Sequence, residues 1–125
     1  MLDLLIDKTT STPNISFNAN TGVLKIEGRS IMEDAATFYA PILTWLSLYV
    51  KKPQELTVLD IKLEYINSGS SKAILTLLKT IKRVQSLDKA YKINWYYEED
   101  DEAIRDLGRY LGSMLNAPFE LIEIV

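Results

Sequence analysis

The feature that most constrains the fold is a change of hydrophobic period near the middle of the chain. From Leu59 the apolar residues fall on alternate positions, Leu59, Ile61, Leu63 and Tyr65, with Asp60, Lys62 and Glu64 between them. A period of two belongs to a strand buried on one face. From Ala73 the period lengthens: Ile74, Leu77, Leu78, Ile81 and Val84 recur at three and four, one apolar stripe on a helix from Ser70 to about Leu87. Between the patterns lies Asn67-Ser68-Gly69-Ser70-Ser71-Lys72. Short side-chain oxygens accept from the free N–H groups of a first helical turn, so this stretch predicts a capped helix start. The same N–H groups and the positive end of the helix dipole favour a phosphate, which makes the turn a good place for a phosphorylated serine. On the residues alone Ser68, Ser70 and Ser71 all qualify, and a plain cap is the alternative.

The same two periods organise the rest. Leu2 to Ile6 reads as an edge strand. Asn14 to Phe17 and Val23 to Gly28 read as an antiparallel hairpin around Asn18-Ala19-Asn20-Thr21-Gly22, whose Asn and Gly tolerate positive φ. Glu33 to about Val50 reads as a helix, with Glu33 and Asp34 in its first turn and Phe38, Ile42, Trp45, Leu46 and Tyr49 as its buried stripe. Pro41 predicts a kink there, or a helix that restarts with Pro41 in its first turn. Leu43, Leu48 and Val50 fall off the stripe and are candidates for a partner-binding patch. Tyr91 to Tyr97 alternates again. The acidic run Glu98-Glu99-Asp100-Asp101-Glu102 opens a third helix with the stripe Ile104, Leu107, Leu111, Met114 and Leu115, and Gly108 and Gly112 on it predict close approach to a neighbour. Phe119 to Val125 is a final strand.

This order predicts an α/β fold: a single mixed sheet of about five to six strands, an N-terminal hairpin followed by βαβαβαβ, with three helices mainly on one face. Crossovers make the later strands parallel, so their strand-to-helix turns emerge at one edge. That edge gathers Arg29, Ser30 and Glu33, the Asn67 to Lys72 turn with Glu64 before it, and Tyr97 with Glu99, Asp100 and Asp101.

Composition narrows function by exclusion. The chain has no Cys and no His, so thiol catalysis, the usual zinc sites and Ser-His-Asp hydrolysis are absent in their ordinary forms. A net charge of −3 argues against a general nucleic-acid binder, and Lys79, Lys82 and Arg83 read as the solvated side of the second helix. The first residues have neither a basic start nor a long apolar run, so no membrane span or signal peptide is expected and the cytoplasm is the default compartment. At 125 residues one domain is expected.

Leu63-Glu64-Tyr65-Ile66-Asn67-Ser68, followed by Ser70-Ser71-Lys72, resembles the signature of the SiaC family of bacterial regulatory phosphoproteins. The likeness extends through Thr12-Pro13-Asn14-Ile15-Ser16-Phe17, Gly28-Arg29-Ser30, Glu33-Asp34, Phe38-Tyr39, Pro41, Trp45-Leu46, Tyr49, Trp95-Tyr96-Tyr97-Glu98-Glu99-Asp100-Asp101 and Pro118-Phe119. The resemblance implies a fold like the STAS, or anti-sigma-factor-antagonist, domains. It implies a switch thrown by a dedicated protein kinase and a PP2C-type phosphatase; no cofactor is expected. In the best-known member the unphosphorylated form binds a diguanylate cyclase and promotes cyclic-di-GMP synthesis in biofilm signalling. The family's phosphorylated hydroxyl falls on Ser68. Three positions depart from the pattern: Ser68 stands where Thr is expected, Gly69 where a second hydroxyl residue is expected, and Met32 where Pro is expected.

A phosphate brings about −1.5 to −2 charges. Arg29 or Lys72 is placed to pair with it, and the carboxylates after Tyr97 to repel it. Two rival readings stand beside the switch. One is a Mg²⁺-dependent phosphate-handling enzyme using Asp100, Asp101 and Glu64. The other is a constitutive interaction domain in which Ser68 only caps its helix. Free edge strands leave room for a homodimer.

Overall fold

A computed structural model describes all 125 residues. The elements run β1 (Leu4–Ile6), β2 (Asn14–Asn18), β3 (Val23–Ser30), α1 (Ala35–Tyr49), β4 (Leu56–Ile66), α2 (Ser68–Lys82), β5 (Ala90–Glu98), α3 (Glu102–Leu115) and β6 (Phe119–Ile124). They build one six-stranded mixed sheet in sequence order, β1-β2-β3-β4-β5-β6. The first three strands are antiparallel neighbours and the last four are parallel. Successive right-handed crossovers between adjacent parallel strands put α1, α2 and α3 on the same face. The α/β architecture with a one-sided helical layer is therefore the one the alternating strands predict.

Local chemistry sets the hairpin. Asn18 Oδ1 accepts from the N–H groups of Asn20 and Thr21, and Gly22 closes the turn at φ +75°. A side chain at Gly22 would also press a Cβ to 2.5 Å from the Leu56 carbonyl, so both backbone and space require glycine there.

The core lies between sheet and helices, where Phe17, Leu24, Ile26, Tyr39, Ile42, Leu46, Leu59, Ile61, Ile74, Leu78, Ile93 and Trp95 are fully buried. The close approach expected of the α3 glycines is present. A Cβ on Gly108 would sit 2.5 Å from the Trp95 ring, and one on Gly112 would sit 2.9 Å from Phe119. The missing side chains let α3 rest directly on the aromatic rings of β5 and β6, while Trp95 Nε1 donates to the Ile104 carbonyl at 2.9 Å.

Several expectations are corrected. Helix α1 begins after Asp34, which is its N-cap, so Glu33 and Asp34 lie outside the first turn. The helix runs through Pro41 without restarting. Pro41 is exposed, so the carbonyl left without its N–H partner faces water. Tyr39 takes the fully buried place expected of Phe38, because the stripe runs Ala35, Tyr39, Ile42, Leu46, Tyr49. Val50 is buried, which leaves Leu48 as the exposed member of the off-stripe group and Leu43 half-buried. Helix α2 starts two residues earlier than expected and passes at Arg83–Leu87 into a 3-10 turn. In α3 only Glu102 of the acidic run is helical, and Met114 is exposed. Lys82 is half-buried rather than solvated, its Nζ donating to the Leu115 carbonyl at the end of α3, where the dipole favours a cation.

Candidate functional site

The β4–α2 turn is built by one asparagine. Asn67 is the N-cap of α2, and its Oδ1 accepts from the Ser70 N–H at 2.9 Å. Its Nδ2 donates to the Met32 carbonyl at 2.8 Å, and its backbone N–H donates to the Ser30 carbonyl at 3.1 Å. The end of β3, the β3–α1 loop and the start of α2 are thereby joined through a single residue.

The three serines of this turn meet different fates. Ser70 is fully buried in a chain of hydroxyls. Tyr39 bonds Ser30 Oγ at 2.7 Å, Ser30 donates to Ser70 Oγ at 2.6 Å, and Ser70 donates to Met32 Sδ at 3.3 Å. Burial pushes the Tyr39 phenol up to about 12, against the opposing pull of its Ser30 hydrogen bond, so the chain stays uncharged in the physiological range. Ser71 is half-buried and donates back to the Asn67 carbonyl at 3.2 Å. Ser68, the first residue of the helix, is exposed and its hydroxyl has no protein partner. Gly69 beside it is also exposed; a Cβ there would touch Ala35 at an ordinary 3.5 Å.

The expected edge splits into parts. Ser30 is fully buried, so it supports the turn from beneath and offers no contact surface. Arg29 is paired with Glu64 at 3.3 Å and its guanidinium lies 5.3 Å from the Tyr65 ring centre. Lys72 is exposed and has no ion-pair partner. Glu33 is exposed just before the cap of α1, where Asp34 accepts from Thr37. The Thr37 hydroxyl, and then the Thr37 N–H, hold Asp34 below the usual carboxylate range.

The third turn stands apart. Strand β4 pairs with β3 as far as Ile66, but with β5 only as far as Lys62, opposite Tyr96. A cleft of about 560 Å³ runs across the sheet here, lined among others by Lys8, Glu27, Lys62, Glu64, Tyr96 and Glu98. Asp101 caps α3 by accepting from Ile104 at 3.0 Å, while Glu99 and Asp100 are exposed in the turn. No hydrogen bond or ion pair joins this acidic turn to the Asn67 turn. No group of three or more acidic side chains converges to hold a metal ion; Glu64 is engaged by Arg29. The constellation Asp100, Asp101 and Glu64 is therefore not assembled.

Two surface residues went unmarked in the sequence. Ile31 is 41% exposed in the β3–α1 loop, and Tyr65, expected inside, is 57% exposed. A β-bulge explains Tyr65. Between Gly28 and Arg29 the register with β4 shifts by one, so Gly28 pairs with Leu63 but Arg29 pairs with Tyr65. One extra β4 residue, Glu64, ends the alternation, and Gly28 at φ +121° supplies the backbone conformation this needs.

Over residues 6–124 the chain matches the SiaC family regulatory phosphoprotein. It belongs to the SiaC family. A relative from Pseudomonas aeruginosa strain UCBPP-PA14, described as uncharacterized protein PA14_02130, is 26% identical over 121 residues, covering 97% of this chain and 96% of that one. Solved structures share the fold at 24% identity. SiaC of Pseudomonas aeruginosa superposes with a TM-score of 0.84, covering 98% of this chain and 97% of that one. SiaC in complex with the diguanylate cyclase SiaD, described as that enzyme's activator, superposes with a TM-score of 0.89, covering 98% of this chain and all of the other. As a SiaC-family member the chain is a regulatory phosphoprotein with an α/β fold, and no helix in it is long and apolar enough to cross a membrane.

Proposed function

We infer that this chain is a single, non-catalytic, cytoplasmic regulatory domain that binds a diguanylate cyclase when Ser68 is unmodified and releases it when Ser68 is phosphorylated. The observation that carries this reading is the contrast among the three serines: only the Ser68 side chain is exposed and free of any hydrogen bond. A protein kinase adds the phosphate and a PP2C-type phosphatase removes it. The contact surface comprises Ser68 and the exposed Ile31 and Tyr65, with Arg29, Glu33, Glu64 and Lys72 at its rim.

The electrostatics favour this site over the other helix starts. Helices α1 and α3 are capped by the carboxylates of Asp34 and Asp101, whereas α2 is capped by the neutral Asn67 and has no acidic residue in its first turn. Its positive end is therefore open to a dianion. Lys72 lies four residues after Ser68, hence on the same helical face, and is the cation available to a phosphate there. Arg29 is already occupied by Glu64. The charges of Arg29, Lys72, Glu33 and Glu64 cancel, so the phosphate turns a balanced contact surface net negative, and a like-charge juxtaposition against the partner costs several kcal/mol, about a thousandfold in affinity.

A pull-down with the diguanylate cyclase of the same organism tests this. Ser68→Ala is expected to retain the cyclase and Ser68→Glu to lose it. Equal retention by both variants would overturn the reading.

A further inference from the structure

Asn67 does two things that pull in different directions once Ser68 is phosphorylated. Its Oδ1 caps α2 at the Ser70 N–H, and its Nδ2 holds the Met32 carbonyl. Capping alone does not need an amide. Asp caps both other helices, and a carboxylate accepts at least as well as an amide oxygen. What only the amide supplies is a donor, and that donor is spent on the β3–α1 loop. The other ties between this region and the start of α2 are the Asn67 backbone N–H to the Ser30 carbonyl, the buried Ser30–Ser70 bond and the Ser70–Met32 contact, none of which involves the Asn67 amide side chain.

Resting on the reading of Ser68 as the phosphorylated residue, the geometry points to Asn67 as the element that carries the modification to the β3–α1 loop. A phosphate on the adjacent residue presents acceptor oxygens to the Ser70 N–H that Oδ1 now occupies. A hydrogen bond to a charged acceptor is roughly twice as strong as one between neutral groups. The amide turns so that its oxygen leaves the phosphate and Nδ2 donates to it. Met32 O loses its partner, and the loop that carries the exposed Ile31 is released. Phosphorylation thus alters the contact surface twice, by charge at Ser68 and by loosening Ile31.

The experiment uses the whole chain with phosphoserine installed at position 68 during translation, compared with the unmodified chain by amide hydrogen exchange and ¹H–¹⁵N spectra. The reporters are the Asn67 side-chain amide and the Ile31 N–H, which donates to the Ser11 carbonyl at 2.9 Å. Phosphorylation is expected to shift the Asn67 side-chain signals and to speed Ile31 exchange by about tenfold, the scale of one net hydrogen bond. Asn67→Asp keeps a cap but removes the donor. Its unmodified form is expected to show the fast Ile31 exchange already, with little further change when Ser68 is phosphorylated. Unchanged Asn67 and Ile31 signals on phosphorylation overturn the inference. If the cyclase is nevertheless released, the switch at Ser68 stands and works by charge alone. If the cyclase stays bound, the switch fails as well.

Discussion

Helices α2 and α3 start on the same edge of one sheet, yet their first turns are made differently. At α3 the cap is a carboxylate, Glu102 follows in the first turn, and further on Gly108 locks the helix against Trp95. At α2 the cap is an amide, no acid follows, and the first two residues, Ser68 and Gly69, are exposed. The first arrangement satisfies the helix dipole permanently. The second leaves it unsatisfied, with a free hydroxyl at the place where charge would be stabilised. Within one fold, a helix start can thus be finished or left open, and the open one is where the proposed switch places the phosphate.

The sharpest way to break this contrast is to move the charge two residues. Ser70→Glu places a carboxylate in a fully buried hydroxyl chain and is expected to cost more than about 3 kcal/mol, a large share of the stability of a domain this size. Ser68→Glu is expected to stay within about 1 kcal/mol of the parent. Urea denaturation followed by Trp fluorescence separates the two, and similar losses in both would mean that Ser68 is not the open position.

The glycines give the next largest effect. In α3, Gly108→Ala forces a Cβ against Trp95 and is expected to cost about 2 to 3 kcal/mol. In α2, Gly69→Ala meets only ordinary contact with Ala35 and is expected to be neutral or to stabilise by up to about 1 kcal/mol. Thermal melts of both variants test whether α3 is the packed helix and the start of α2 the permissive one. Removing the caps is expected to matter less. Asn67→Ala should cost about 1 to 2 kcal/mol, slightly more than the roughly 1 kcal/mol of Asp101→Ala, because Met32 loses its donor too. Equal losses would show that the Asn67 side chain only caps.

The smallest effect is one of pH and concerns the third start, at α1. Asp34 titrates below the ordinary carboxylate value, so the ionised group is favoured by folding. Its contribution is complete above the ordinary value and disappears as the pH falls through the lowered one. Melting temperatures measured from about pH 5 down to about pH 2 should therefore fall less steeply for Asp34→Asn than for the parent. Asn67, which has no charge to lose, should give no such difference when replaced by Gln.

Much of this was legible in the sequence because it depends on period. Alternation in Leu59, Ile61 and Leu63 and the three-four spacing from Ala73 give the layers, and short crossovers then give the common edge. Tyr65 was not legible, because the bulge that leaves Glu64 unpaired in β4 is set by its pairing with Gly28 and Arg29 of the neighbouring strand and changes the phase of β4 without altering its pattern. The difference between Ser70 and Ser68 could have been found: Ser70 falls three and four residues before Ala73 and Ile74, on the extension of the buried stripe, while Ser68 falls off it. The separation of the acidic turn from the Asn67 turn could not, since it follows from where β4 and β5 stop pairing.

The most direct test is to map phosphate on the chain isolated from its own cells by tandem mass spectrometry across growth states. Phosphate on Ser68, with Ser70 and Ser71 unmodified, is the expected result. Phosphate on Ser71 or elsewhere, or a chain that is never modified, would contradict the account.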